Sequence, residues 1–146
     1  MRILIISPHF PPVNSPDLHR VRLLLPYMKA CRVEAEVLAV EAAQAVYPSD
    51  SRLLKGLPDS VIIHRVRALS LRWRRFPGFG SIGFRAMRAL ARKGDELLAN
   101  QHFDLIYFST TVFEVHFLGV RWKRKFGVPF AMDFQDPWVN DYYRKN

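Results

Sequence analysis

Met1-Arg-Ile-Leu-Ile-Ile-Ser-Pro-His-Phe-Pro-Pro12 is the stretch that decides the fold. Ile3 to Ser7 is a near-continuous run of leucine and β-branched residues. It predicts a central parallel strand covered on both faces. The run breaks at once into a loop carrying His9 and three prolines. In an open α/β sheet such a loop sits at the mouth of the ligand crevice, outside the carboxyl ends of the strands. Near the other end of the chain, Phe130-Ala-Met-Asp-Phe-Gln-Asp-Pro-Trp138 has the same form.

Working outward from the first strand, helical and extended patterns alternate. Leu18, Val21, Leu25 and Met28 give helical spacing to residues 17–31, with Asp17 as a cap or first-turn acid. Pro26 is expected to bend this helix or to divide it in two. Val33 to Val40 reads as the second strand, with Val37, Leu38 and Val40 as its core. Residues 42–56 are irregular or briefly helical, and Val61 to Val66 is the third strand. Ile82 to Leu98 reads as a helix with Met87, Leu90, Ala91 and Leu98 inward. Asp104 to Ser109 is the fourth strand. Val112 to Phe126 is a helix with Val115, Leu118, Trp122 and Phe126 on one stripe. Gly127 ends it and Pro129 blocks its continuation. Phe130 to Phe134 is the fifth strand. This order predicts the α/β class, with a Rossmann-like, doubly wound parallel sheet. In the strand order 3-2-1-4-5, the loops after strands one, four and five converge on one cleft.

The 146 residues are 49% hydrophobic and 24% charged. That suits one domain with a sizeable core and excludes a disordered or fibrous chain. Cys31 is the single cysteine, so no intrachain disulfide forms. This favours a reducing, cytoplasmic compartment, with Cys31 as a structural thiol. The apolar stretch Ile3 to Ile6 is too short for a signal-peptide core. No apolar run approaches the roughly 18 residues that span a bilayer. The net charge of +9 concerns partners rather than fold and leaves anionic lipid, nucleic acid and phosphorylated substrates open.

The convergent loops carry the candidate site. Ser109, Thr110 and Thr111 lie between strand and helix, where they can cap the helix or hold phosphate and sugar oxygens. His9, and Asn14 with Ser15, are ligand candidates in the first loop. Asp136 is either a turn carboxylate or a group that orients or deprotonates a substrate hydroxyl. Asp133, inside its strand, needs partners and is expected to brace the loop. His116 is either packed or directed to the cleft. No residue set has metal-ligand spacing, and no phosphate-loop or dinucleotide glycine motif occurs.

Arg65 to Lys93 holds nine basic residues and no acidic one. Its centre sets Arg72, Arg74 and Arg75 among Trp73 and Phe76. Such a mixture suits an anionic membrane surface, with aromatics in the interfacial layer and arginines on lipid phosphates. A solvated face with core aromatics is the competing reading, a protein contact is a third, and nucleic acid is the least favoured.

In their order and spacing these segments resemble the N-terminal domain of a GT-B glycosyltransferase, in the group called glycosyltransferase family 4. The resemblance rests on Arg2-Ile-Leu-Ile-Ile6, His9-Phe-Pro-Pro12, Phe103-Asp-Leu-Ile-Tyr107, Lys125-Phe-Gly-Val-Pro129 and Gln135-Asp-Pro-Trp138. It implies one half of a GT-B fold that transfers a sugar, with retention, from a nucleotide sugar to an acceptor hydroxyl. The acceptors implied are lipid-linked or polysaccharide precursors. By the same likeness, Asp136 lies at the interdomain cleft as the candidate catalytic residue. His9, Asn14 and Ser15 lie near the donor phosphates and the acceptor. Ser109, Thr110, Thr111, His116 and Gln135 line the acceptor side. No cofactor or metal is implied beyond the nucleotide sugar as co-substrate.

Two features depart from the family pattern. Pro12-Val-Asn-Ser-Pro16 stands where a glycine pair usually lets backbone approach a diphosphate. Gln135 stands where arginine or histidine is common. The expectation is therefore an acceptor-side domain over residues 1–146, cut short near its C-terminal end. It would work with a C-terminal donor-binding domain or subunit and be inactive alone. Its place would be the cytoplasm, including the inner membrane face. The competing expectation is a non-catalytic α/β module that binds an anionic membrane or a protein partner.

Overall fold

The structure, a computed structural model, describes residues 1–136; Trp138 and the remainder of the last motif lie outside them. Five parallel strands form one sheet: Arg2–Ile6 (β1), Glu34–Val40 (β2), Ile62–Val66 (β3), Leu105–Ser109 (β4) and Phe130–Asp133 (β5). Their spatial order is β3-β2-β1-β4-β5, as expected from the alternation of elements. β1 is central and pairs with β2 from Arg2↔Glu34 to Ile6↔Leu38, and with β4 from Ile3↔Leu105 to Ile6↔Phe108.

The continuous apolar character of β1 follows from burial on both sides. Ile3 and Ile5 meet Val21 and Leu25 of the helix His19–Met28 (α1), together with Phe10, Val37 and Ala39. Leu4 and Ile6 meet the other layer. That layer is built from Ile82–Asn100 (α2) and Phe117–Phe126 (α3), through Ala86, Leu90, Leu97, Leu118 and Trp122. Two points differ from the sequence expectation. The helix expected from Asp17 starts only at His19, after a separate 3-10 turn, Pro16–Leu18, and α1 is not divided at Pro26. The predicted helix from Val112 begins instead as a 3-10 turn, Phe113–His116, before α3. Cys31 lies beyond α1 and is an exposed free thiol, so it is not a packed one.

α3 ends at Gly127, whose φ of +76° gives the left-handed cap that a side chain would strain, and its N–H donates to the Lys123 carbonyl. Helix α2 reaches α3 over Gly94. The fully buried Trp122 ring lies across it, and the indole Nε1 donates to Asp95 Oδ1 at 2.9 Å. A β-carbon on Gly94 would sit 2.1 Å from Trp122 Cζ2. Alanine favours a helix interior by about 1 kcal/mol over glycine, but the ring that it would meet is fully buried. Gly94→Ala should therefore lower the unfolding free energy by about 1–3 kcal/mol, the usual range for overpacking. Urea denaturation followed by tryptophan fluorescence reads this, and an unchanged or raised midpoint would contradict the close approach.

Candidate functional site

The loops after β1, β4 and β5 are tied together by Asp17. This side chain is 1% exposed, yet it is an acid in the first turn after the proline loop. A buried carboxylate needs donors, and here they come from three places. His9 Nδ1 lies 3.2 and 3.3 Å from its two oxygens. The Ser15 hydroxyl donates to Oδ1. From beyond β4, Thr110 Oγ1 donates at 2.8 Å and the Thr111 N–H at 3.4 Å to Oδ2. Burial alone would raise the Asp17 carboxyl. The donors, His9 foremost and then Ser15 and Thr110, outweigh it and hold the group below its ordinary 3.8.

A second carboxylate, Asp133, closes β5 onto the same end of the sheet. It accepts from Arg20 of α1, from Tyr107 Oη at 2.9 Å and from Ser109 Oγ at 3.0 Å. Burial, followed by the hydrogen bond to Asp133, raises the Tyr107 phenol. Gln135 Nε2 bridges the two clusters, donating at 3.0 Å both to the Asp17 carbonyl and to Ser109 Oγ.

Beside this network is a cleft of about 280 Å³, lined by His9, Tyr47, Ser81, Arg85, Thr111 and Glu114 among others. Every lining segment follows the carboxyl end of a strand, the position where open α/β sheets bind ligands. The backbone of His9 is held by Ser7 Oγ, which donates to its carbonyl at 2.8 Å. The ring meets Tyr47 edge-on, with centroids 5.1 Å apart. Because a carboxylate only accepts, the neutral His9 ring carries its proton on Nδ1. Nε2 then has a free lone pair, and none of the described residues hydrogen-bonds it. A larger cavity of about 500 Å³ lies at the opposite end of the sheet. There Arg2 pairs with Glu36, and Glu36 accepts from His64 Nε2 at 2.6 Å.

The remaining sequence candidates fall into three groups. The hydroxyls of Ser15, Ser109 and Thr110 all serve internal partners; Thr110 Oγ1 also accepts from the Val112 N–H at 3.0 Å, the capping role anticipated for this segment. Asn14 is exposed, and its N–H donates to the Pro48 carbonyl at 2.8 Å, tying the first loop to the loop after β2. Asp136 is exposed just past Gln135. His116 is packed: its ring lies against Phe108, Phe113 and Phe134, and burial lowers its pKa. Among the described residues no cluster of three or more histidine, cysteine or acidic side chains is placed to hold a metal ion.

Asp17, Tyr47 and Arg85 escaped the sequence reading as site residues. Asp17 carried only the signal of a first-turn acid. Arg85 stands on the α2 stripe that otherwise faces the core, which is the one pattern that could have exposed it.

The basic run forms a 3-10 turn, Leu71–Arg75, on the surface. Trp73 and Phe76 are 44% and 45% exposed, lie tilted against each other with centroids 5.5 Å apart, and carry the Arg75 guanidinium 5.1 Å above Phe76. Arg72 and Arg74 are exposed beside them. Among the described residues no helix is long and apolar enough to cross a membrane.

The sequence matches no protein-family profile and no curated protein. The fold has solved neighbours. The C-terminal domain of a hydrogenase from Pyrococcus furiosus aligns with a TM-score of 0.59 at 17% identity, covering 90% of this chain and 89% of that one. A UGT transferase from Siraitia grosvenorii in complex with UDP aligns at 0.53 and 12% identity. A Phytolacca americana UGT complexed with UDP-2-fluoro-glucose and pterostilbene aligns at 0.55 and 16%. Both cover 90% of this chain, which spans only 28% and 29% of theirs. These likenesses establish a Rossmann-like α/β fold of the kind found in UDP-glycosyltransferases. The family-4 assignment has no match among them.

The lowered Asp17 pKa sets a pH dependence. The folded value lies below the unfolded one, so the charge contributes stability that is present above about pH 4 and is lost as pH falls through the folded value. Asp17→Asn should cost about 1.5–3 kcal/mol at pH 7, the weight of a hydrogen bond to a charged group. The gap to the unsubstituted chain should narrow below pH 4. Urea denaturation over an acid-to-neutral pH series measures both, and a gap that stays constant across the series would show an uncharged Asp17.

Proposed function

We propose that the chain is the acceptor-side domain of a glycosyltransferase, which presents an acceptor hydroxyl to a nucleotide sugar held by a second domain or subunit. The observation that carries this reading is the His9–Asp17 pair at the edge of the cleft. A histidine with one nitrogen held by a buried carboxylate and the other unengaged is the arrangement of an oriented general base. His9 Nε2 takes the proton of the acceptor hydroxyl while the acceptor oxygen bonds to the anomeric carbon. The bond from that carbon to the donor diphosphate breaks, and the diphosphate leaves with the electron pair. Direct displacement of this kind inverts the anomeric centre, unlike the retention that the family-4 resemblance implies.

Asp136, exposed at the same end of the sheet, takes the part of a carboxylate that aligns the acceptor, with Thr111 on the facing wall. The UDP and UDP-2-fluoro-glucose bound to the two plant neighbours support a nucleotide sugar as co-substrate. Groups that stabilise the departing diphosphate belong to the donor-binding half, so the isolated chain is expected to be inactive. Once the chain is reconstituted with that half, His9→Ala should slow turnover by about 10²–10⁴-fold, the usual weight of a general base. Turnover insensitive to His9, or turnover by the isolated chain, would remove this reading.

The exposed Trp73–Phe76 pair among Arg72, Arg74 and Arg75 supports attachment to an anionic membrane, and so a lipid-linked acceptor at the inner face. A polysaccharide precursor is the soluble counterpart. The same patch would serve a non-catalytic module equally well. Replacing all three arginines by glutamine should release the chain from phosphatidylserine vesicles, by about 1 kcal/mol per cation. Co-sedimentation reads it, and unchanged binding with intact folding would exclude the patch.

A further inference from the structure

Arg85 lies on α2, with its residue 3% exposed, and has no carboxylate partner among the described residues. Nη1 donates to the Leu69 carbonyl at 2.9 Å and Nη2 to the Gln44 carbonyl at 3.0 Å. A guanidinium has five N–H donors, so among the described residues two are used and three are not. Nε is shut from solvent without a partner. Burial, with Arg74 adding like charge, disfavours the charged form. Buried cations are ordinarily matched by an anion. The more exposed Arg2, Arg20 and Arg121 have Glu36, Asp133 and Asp95, while the half-buried Arg65, like Arg85, donates to carbonyls, those of Val40 and Pro11.

Of these two, Arg85 is the more deeply buried, and it lines the His9 cleft. So does Glu114, the one carboxylate among the lining residues, but Glu114 is directed elsewhere. Its Oε2 lies 2.7 Å from where a β-carbon on Gly83 would stand, against the first turn of the nineteen-residue α2. There the positive end of the helix dipole favours it. The cleft therefore joins a histidine poised to accept a proton to a buried cation lacking its counter-charge. Tyr47 offers an aromatic edge beside His9.

We infer that Arg85 is an anion subsite, and that the acceptor is an acidic sugar whose carboxylate sits on Arg85 while its hydroxyl meets His9. This rests on the acceptor-side reading above and adds the substrate class. An oxyanion supplies acceptors for the idle N–H groups in the fork geometry that guanidinium prefers. A neutral sugar leaves them unmet, which is the stronger source of discrimination in a dry site.

The test needs no turnover. The ¹⁵N-labelled full chain is titrated at constant ionic strength with methyl glucuronide, methyl glucoside, inorganic phosphate and UDP, following the assigned Arg85 Nε–H resonance. Methyl glucuronide should shift it at millimolar concentration and bind at least about tenfold more tightly than methyl glucoside, a difference of about 1.4 kcal/mol. Arg85→Lys should shrink that preference severalfold; should this variant not fold, the comparison of the two glycosides on the unsubstituted chain decides. Equal binding of the two glycosides, or no shift with either, would overturn the subsite. Shifts with phosphate and UDP but none with glucuronide would assign Arg85 to the donor and overturn the acidic acceptor. His9→Ala should leave the glucuronide preference in place, which separates this inference from the base role of His9.

Discussion

The carboxylate of Asp17 holds together stretches of chain that lie about a hundred residues apart. Donors reach it from the first loop, through His9 and Ser15, and from the segment after β4, through Thr110 and Thr111. Its own carbonyl receives Gln135 from beyond β5. An ionised carboxylate out of water is tolerable only while these donors stay in place. The three loops are therefore fixed together, or the charge is left bare. The geometry of the cleft, with the His9 ring set in one tautomer and orientation, depends on this single constraint.

The two acids at this end of the sheet divide the work. Asp133 is anchored by Arg20, Tyr107 and Ser109 and docks β5 against α1 and β4. Asp17 orients the histidine. Most of the loop hydroxyls that looked available for a ligand serve these two acids instead. What the cleft offers a ligand is correspondingly spare: the His9 ring, the Arg85 cation, the Tyr47 edge and the Thr111 wall.

A parallel doubly wound sheet explains why these groups meet at all. Each crossover returns the chain to the same edge of the sheet, so every loop after a strand opens on one side. The fold does not choose the chemistry, since it aligns with a hydrogenase domain as well as with UGT structures. The proposed glycosyl transfer draws its content from residues at the site, and the plant neighbours are chains several times longer.

Much of the fold was legible in the residues themselves. The apolar run of β1, the alternation of elements, Gly127 with Pro129, and the strand order follow from local pattern and from the handedness of crossovers. So did the need of Asp133 for partners, because a carboxylate inside a strand has no other way to be stable. Side-chain direction was not legible. Nothing in Pro-Asp-Leu at residues 16–18 says that the acid turns inward, and Arg85 reads as one more cation in a basic run. Their roles depend on contacts with residues up to 118 positions away, which exist only once the sheet has formed. The amino-acid sequence by itself determined which elements form and at which end the loops gather. Tertiary packing alone decided which charges are buried, because burial and pairing are properties of the assembled layers and not of any one segment.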